Sequence, residues 1–385
     1  MSFTVRNHYV PQWYQRRFLD EGAGQSKLWY LDLKPDPIPR PDGTMTTRKA
    51  LRSLGPVNCF QQEHLYTLFF GDGATDVMEK SFFGAIDANG EKAVSFFAHY
   101  SVRDGVHEAF EGMRNYLAAQ LFRTPKGLAM LQRLAGTRNQ QRTLWVMNNV
   151  WPIYQTIWTE AVWEVVECKQ SATKFIISDN PVTAYNRAIF PASLEVRQFG
   201  MARFEWLGTH SIFPLDHDHC LVITNLQFVR NPKANSLRPR ENPRYFGDAT
   251  FDLRKVQRGR EVDEATVIAI NHVLKTHAKR YIASPNKDDL YPEQHVRPQL
   301  WSKIGGPYFL LPDPRKVTFT TGTVIGYGDG KAWGRNEYGH FDLDGPKARK
   351  LRQTEWQTFQ QHKQTWDDMD RRAGREPPAD LNDYW

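Results

Sequence analysis

Apolar and polar positions fall into two textures along this chain, helical periods first and strand-like runs after about residue 163. Tyr14, Arg17 and Phe18 recur at helical spacing behind Pro11, a residue that suits a first turn. A short helix is therefore expected from Pro11, with His8 in extended chain before it. Residues 28–33 read as a strand and the proline-rich 34–41 as a loop. Asp76 is placed to cap a helix through Val77, Phe82, Phe83 and Ile86, with Glu79 in its first turn, where a carboxylate suits the dipole. Further helices are predicted over 106–122 and 126–134, broken at Thr124-Pro125. A long Trp-rich helix over 140–161 should kink or break at Pro152.

Beyond it, 163–167 and 174–177 read as two strands around a polar turn, a hairpin. Residues 211–214 and 221–224 are further strands, and Asp263 caps a helix carrying Val267, Ile270, Leu274, Ala278 and Tyr281 at helical spacing. From 285 the composition shifts. Residues 301–345 are rich in Gly, Thr and aromatics, with a turn at 326–330 between strands, and 346–369 read as a charged helix. The expectation is an α+β fold: a helical N-terminal half, a mixed or antiparallel sheet in the middle and a small β-rich C-terminal extension. The main domain would span 1–284 (helical to about 162, sheet and returning helix after it), and the extension 285–385.

With 385 residues, 40% hydrophobic and 24% charged, the chain can bury a sizeable core. Trp145, Trp151, Trp158 and Trp163 are read as core packing rather than a base-stacking surface. No apolar run approaches membrane-spanning length, and the first 18 residues lack the apolar stretch of a secretory signal. The missing apolar run argues against a membrane partner, and three spaced cysteines without a CxxC pair point to a reducing, cytoplasmic compartment. The formal charge of +7 is mild, so nucleic-acid binding is not compelled; the basic stretch 230–260 is either a solvated loop or a phosphate-contacting surface. Asp216-His217-Asp218-His219-Cys220 offers two histidines at strand spacing, as two metal ligands would be, but reads better as a surface turn.

Several pieces of chain carry polar groups beside apolar elements. They are His8-Tyr9-Val10-Pro11-Gln12 with Arg16-Arg17-Phe18, then Ser178-Asp179-Asn180-Pro181-Val182, then Phe213-Pro214-Leu215. With Glu79, Gln120 and Arg123 ahead of Pro125, and Asn271, this ordered set resembles the bacterial domain of unknown function 4238 over about residues 5–284. That resemblance implies a shared fold and site but no reaction.

Buried polar groups cost roughly 1–3 kcal/mol each when orphaned, so such a set is expected to converge on a pocket. The expected pocket comprises His8, Glu79, Gln120, Arg123, Asp179 and Asn180, with Gln12 and Asn271 contributing to binding. Against it stands a structural reading: Asp-Asn-Pro is good turn chemistry, and Arg123 could pair with Glu79 to tie two helices together.

Two chemistries compete. With a divalent metal, Mg²⁺ or Mn²⁺, Asp179 and Glu79 would be ligands, His8 a base or ligand, and Arg123 a counter-charge to phosphate. That is a nuclease or phosphodiesterase, suited to bacterial defence or stress. Without a metal, His8 would be a general acid–base oriented by Asp179, acting on or sensing a nucleotide. A non-catalytic interaction protein with an architectural polar cluster is the third reading. No Gly-rich phosphate loop, GxSxG elbow or PD-(D/E)xK lysine is present, which weakens ATPase, serine-hydrolase and that nuclease class.

Overall fold

The computed structural model describes residues 6–20, 22, 24–63, 65, 68–70, 73–75, 83–100, 106–240, 256–317, 323–326, 328–330, 332–335 and 345–377. Its first part is a run of short elements: β1 (Arg6–His8), α1 (Gln12–Arg16), β2 (Leu28–Asp32), β3 (Pro37–Pro39), β4 (Met45–Thr47), β5 (Leu51–Leu54), β6 (Gln61–Glu63), β7 (Leu68–Phe70) and β8 (Gly73–Thr75). Helices follow as α2 (Gly84–His99), α3 (Val106–Phe122), α4 (Pro125–Ala135) and α5 (Gln140–Thr159). The α+β class holds, but the helical part begins only at α2. Strands of three residues are too short to show a period of two, and they left no clear mark in the sequence. Asp76 and Glu79 lie outside the described residues.

The second part alternates β9 (Ala161–Glu167), β10 (Ile177–Ser178), β11 (Thr183–Tyr185), α6 (Leu194–Phe199), β12 (His210–Pro214), β13 (His219–Asn225), α7 (Leu226–Arg230), β14 (Gln257–Glu261), α8 (Glu264–His277) and β15 (Tyr281–Ser284). Beyond it are β16 (Thr323–Gly326), β17 (Ala332–Arg335) and the 27-residue α9 (Pro346–Arg372).

Two sheets organise this part. One has the order β11-β12-β13-β9-β14, antiparallel except for β14 beside β9; the other is β10-β15-β2-β5, antiparallel throughout. All seven residues of β13 are buried, as its apolar run Leu221-Val222-Ile223 requires of a central strand. The expected hairpin between 163–167 and 174–177 does not form. β9 pairs with β13 and β14, whereas β10 pairs with β15, across sequence separations that no local turn signal reveals. α5 also continues through Pro152. Trp158 and Trp163 are fully buried and Trp151 nearly so, but Trp145 is exposed.

Close approach of helices is set by glycine. A Cβ on Gly90 of α2 would stand 2.4 Å from the Tyr116 ring of α3, so only glycine lets that ring lie against the α2 backbone. Between α3 and α4 the chain turns at Thr124, whose hydroxyl accepts from the Gly127 amide at 3.1 Å and caps α4. Asp263 caps α8 through the Thr266 amide at 2.9 Å, as expected, but α8 stops at His277 and Tyr281 opens a strand instead. No helix among the described residues is long and apolar enough to cross a membrane.

Candidate functional site

The N-terminal helix and the Phe213-Pro214-Leu215 strand end are one assembly. Tyr14 stacks on Phe213, ring centres 5.2 Å apart and planes 9° from parallel, and its hydroxyl donates to the Pro214 carbonyl. Arg17 spreads its guanidinium over three acceptors: the Leu215 carbonyl at 2.9 Å, Ser95 Oγ at 3.0 Å and Asp216 Oδ2 at 3.2 Å. Asp216 Oδ1 in turn accepts from His219 Nδ1 at 2.8 Å and from the amides of Asp218 and His219 at 2.9 and 2.8 Å.

Burial would push the Asp216 carboxyl up, but His219 and Arg17 outweigh it and hold it below the usual range. Beside it, His217 is raised by its hydrogen bond to Asp218, at 3.3 Å. The stretch Asp216–Cys220 is the expected connection, with 216–218 bending between β12 and β13, but it is not simply on the surface: His217 and Asp218 are half-exposed, whereas Asp216, His219 and Cys220 are buried. Its acids and histidines pair with one another, with Arg17 and, through Asp218 at 2.8 Å, with Lys174. Among the described residues no group of three or more His, Cys, Asp or Glu is placed to hold a metal ion.

Asp179 sits at the end of β10, buried, with both oxygens occupied. Oδ1 accepts the Lys279 amide at 2.7 Å; Oδ2 accepts those of Arg280 and Tyr281 at 2.7 and 2.9 Å. It thus clamps the connection between α8 and β15, and it explains why that helix ends where it does. Burial pushes the carboxyl up, opposed by the three amides and by the charge of Lys126. Asn180, fully buried, donates to Thr183 Oγ1 at 3.4 Å and leaves its own Oδ1 without a partner. Asn271 on α8 accepts the Ile176 amide at 3.1 Å and donates to the Lys174 carbonyl at 2.8 Å, stitching the helix to the chain before β10.

The other expected site residues have separate partners. His8, half-buried on β1, donates from Nε2 to the Val57 carbonyl at 3.1 Å, and burial lowers its pKa. Gln12 opens α1 and accepts from Arg16 at 3.4 Å. No hydrogen bond or ion pair joins His8 to Asp179. Arg123 and Gln120 do come together inside the helical core. Arg123 is ion-paired with Asp87 at 2.8 Å, with the rings of Phe83 and Tyr116 5.6 and 5.8 Å away. Gln120 accepts from Arg123 Nε at 2.9 Å and from the Tyr116 hydroxyl at 3.2 Å. The helix-tying partner of Arg123 is thus Asp87; Glu79 lies outside the described residues.

Sequence reasoning passed over a cationic cluster built on the same Asp179 clamp. Lys126, in the first turn of α4, donates from Nζ to the His277 carbonyl and lies within electrostatic reach of Asp179, Lys279, Lys34 and Arg133. Arg133 is two helical turns along the same face, and Lys279 donates to the Pro125 carbonyl at 3.2 Å. Burial and the neighbouring cations lower the Lys126 pKa to about 8, against the pull of Asp179. Lys34, Arg133 and Lys279 are exposed, so the cluster is a solvent-facing basic rim over a half-buried lysine. The signal available in the sequence was slight: the i, i+7 pair Lys126 and Arg133 on one helix, with nothing to say that 34 and 279 would join it.

The basic stretch 230–260 behaves differently. Arg240 pairs with Glu160 and Arg260 with Glu164, each at 2.6 Å, and Arg230 is buried. Much of its charge is spent inside the molecule; residues 241–255 lie outside those described.

A family model, described as protein of unknown function (DUF4238), matches residues 6–288. No curated protein and no solved structure matches the chain.

Proposed function

Because the chain belongs to the DUF4238 family, whose description names no reaction, we propose a function from the site itself: recognition of a phosphoryl-bearing ligand, a nucleotide or the phosphorylated end of a nucleic acid, at the rim of Lys126, Lys34, Arg133 and Lys279. One observation carries this reading. Asp179 uses its carboxylate to fix the 279–281 backbone, which presents Lys279 beside Lys126 rather than leaving the acid free for chemistry. Lys126 has three cations within reach and only one acid, the already occupied Asp179, which leaves an excess of positive charge that a phosphate dianion would balance.

This is metal-free recognition. A carboxylate has about four lone-pair positions, and the backbone takes three of those on Asp179. That argues against Asp179 as a ligand in the metal-dependent nuclease or phosphodiesterase expected from sequence, whose second acid, Glu79, lies outside the described residues. Lys126 would act as the charge sensor of the site. A bound dianion favours its protonated form, and it loses its charge as pH rises through about 8.

Calorimetric titration of ATP and of a 5′-phosphorylated oligonucleotide in EDTA tests the reading. Binding is expected to weaken above pH 8, and Lys126→Met should cost at least tenfold in affinity, about 1.4 kcal/mol. Equal binding by wild type and K126M, or binding that demands a divalent metal, would refute it.

A further inference from the structure

Outside the family-matched segment, the C-terminal helix α9 builds a second feature. Phe359 is fully buried against Val162, Val229 and Val317, and Arg315 locks the helix by ion pairs to Asp313, Asp367 and Asp370, each at 2.8 Å. The face of α9 one step round, carrying Thr358, Gln361, His362 and Thr365, is thereby held over the chain at Arg187, Lys233 and Tyr308, enclosing a cleft of about 180 Å³. Helical spacing of these positions makes them one wall.

We propose that this cleft is a binding site for a small organic anion with a phosphate or carboxylate head, separate from the lysine rim. Three observations meet there. First, the lining holds Arg187 and Lys233 and no acidic side chain. Second, Arg187 is pre-positioned: it donates to the Ser302 carbonyl at 2.7 and 3.2 Å and to the Pro307 carbonyl at 2.9 Å. Those bonds use three of the five guanidinium N–H groups and leave two for a ligand.

Third, His362 is only 4% exposed, and its Nε2 has no hydrogen-bond partner. An orphaned buried polar atom costs roughly 1–3 kcal/mol and is relieved by a polar ligand. Burial, and Lys233 nearby, lower the pKa of His362 to about 4, with Asp313 opposing, so the ring is neutral at pH 7. A smaller hollow continues inward past Arg187 toward Tyr185, His210, Phe228 and Phe309, and would accept a short apolar portion of the ligand. The anion would therefore lie head outward, between the family-matched part and the extension.

The test uses the full-length protein with ring-¹³C histidine, titrated with inorganic phosphate and separately with malonate. The His362 resonance, assigned by its loss in His362→Gln, should shift and saturate with one or both probes; which one identifies the head group. Lys233→Gln, an exposed position, should weaken that response at least tenfold, whereas Lys126→Met should leave it unchanged. No saturable shift with either probe, or equal titration of wild type and K233Q, overturns the proposal. Loss in K126M but not in K233Q also overturns it, since the binding would then belong to the lysine rim.

Discussion

Replacing Asp179 by alanine removes the acceptor for three backbone amides at once, at 2.7, 2.7 and 2.9 Å, in a position that is 3% exposed. Each orphaned buried amide costs roughly 1–3 kcal/mol, and water entering the space left by the carboxylate should rescue about one of the three, so D179A is expected to lose roughly 3–5 kcal/mol. Asparagine removes the same charge but keeps one oxygen for two of the amides and orphans only the third, so D179N should lose roughly 2 kcal/mol.

The pH dependence carries a sign that can be checked. The carboxyl is raised in the folded state by burial, so protonation favours folding; this group's destabilising contribution should fade as pH drops through its raised pKa toward 3.8. Equilibrium urea unfolding by far-UV circular dichroism, at pH 7 and pH 5, measures all three proteins. Ordinary domains are stable by about 5–15 kcal/mol, so the predicted loss is large enough to read and small enough to leave a folded fraction. A loss below about 1 kcal/mol in D179A would refute the clamp, and with it the argument that this acid is occupied by architecture.

Two other perturbations probe the packing around the site. Arg17→Gln leaves Asp216 with its charge buried and one partner gone, which should cost roughly 3–5 kcal/mol by the same unfolding assay. Because the Asp216 carboxyl is held low, its contribution is present above its unfolded pKa and lost as pH falls, so R17Q should also show a shallower acid limb. Gly90→Ala puts a methyl 2.4 Å from the Tyr116 ring, forcing α2 and α3 apart. A loss of roughly 1–3 kcal/mol and a lower thermal midpoint are expected; an unchanged midpoint would contradict the helix contact.

What could be read in advance was local. The helix from 106 to 122, the stop at Thr124-Pro125, the Asp263 cap and the strands expected at 163–167, 211–214 and 221–224 follow from spacing and capping chemistry within a dozen residues, and they stand in the structure within slightly longer strands. The functional grouping did not follow. His8, Arg123 and Asp179 are each costly to bury, and the partners that satisfy them are the Val57 carbonyl, the Asp87 carboxylate and the 279–281 amides, none of which the sequence names.

By itself the sequence determined which segments coil or extend and which polar groups must find partners, since propensity, periodicity and desolvation act on each residue where it stands. Only the tertiary structure decided the partners themselves: β10 with β15 rather than β9, Asp179 with a backbone turn a hundred residues on, Lys126 with the His277 carbonyl. Such pairings depend on how distant faces meet, and backbone amides, which every residue but proline carries, leave no trace in the letters that would announce them.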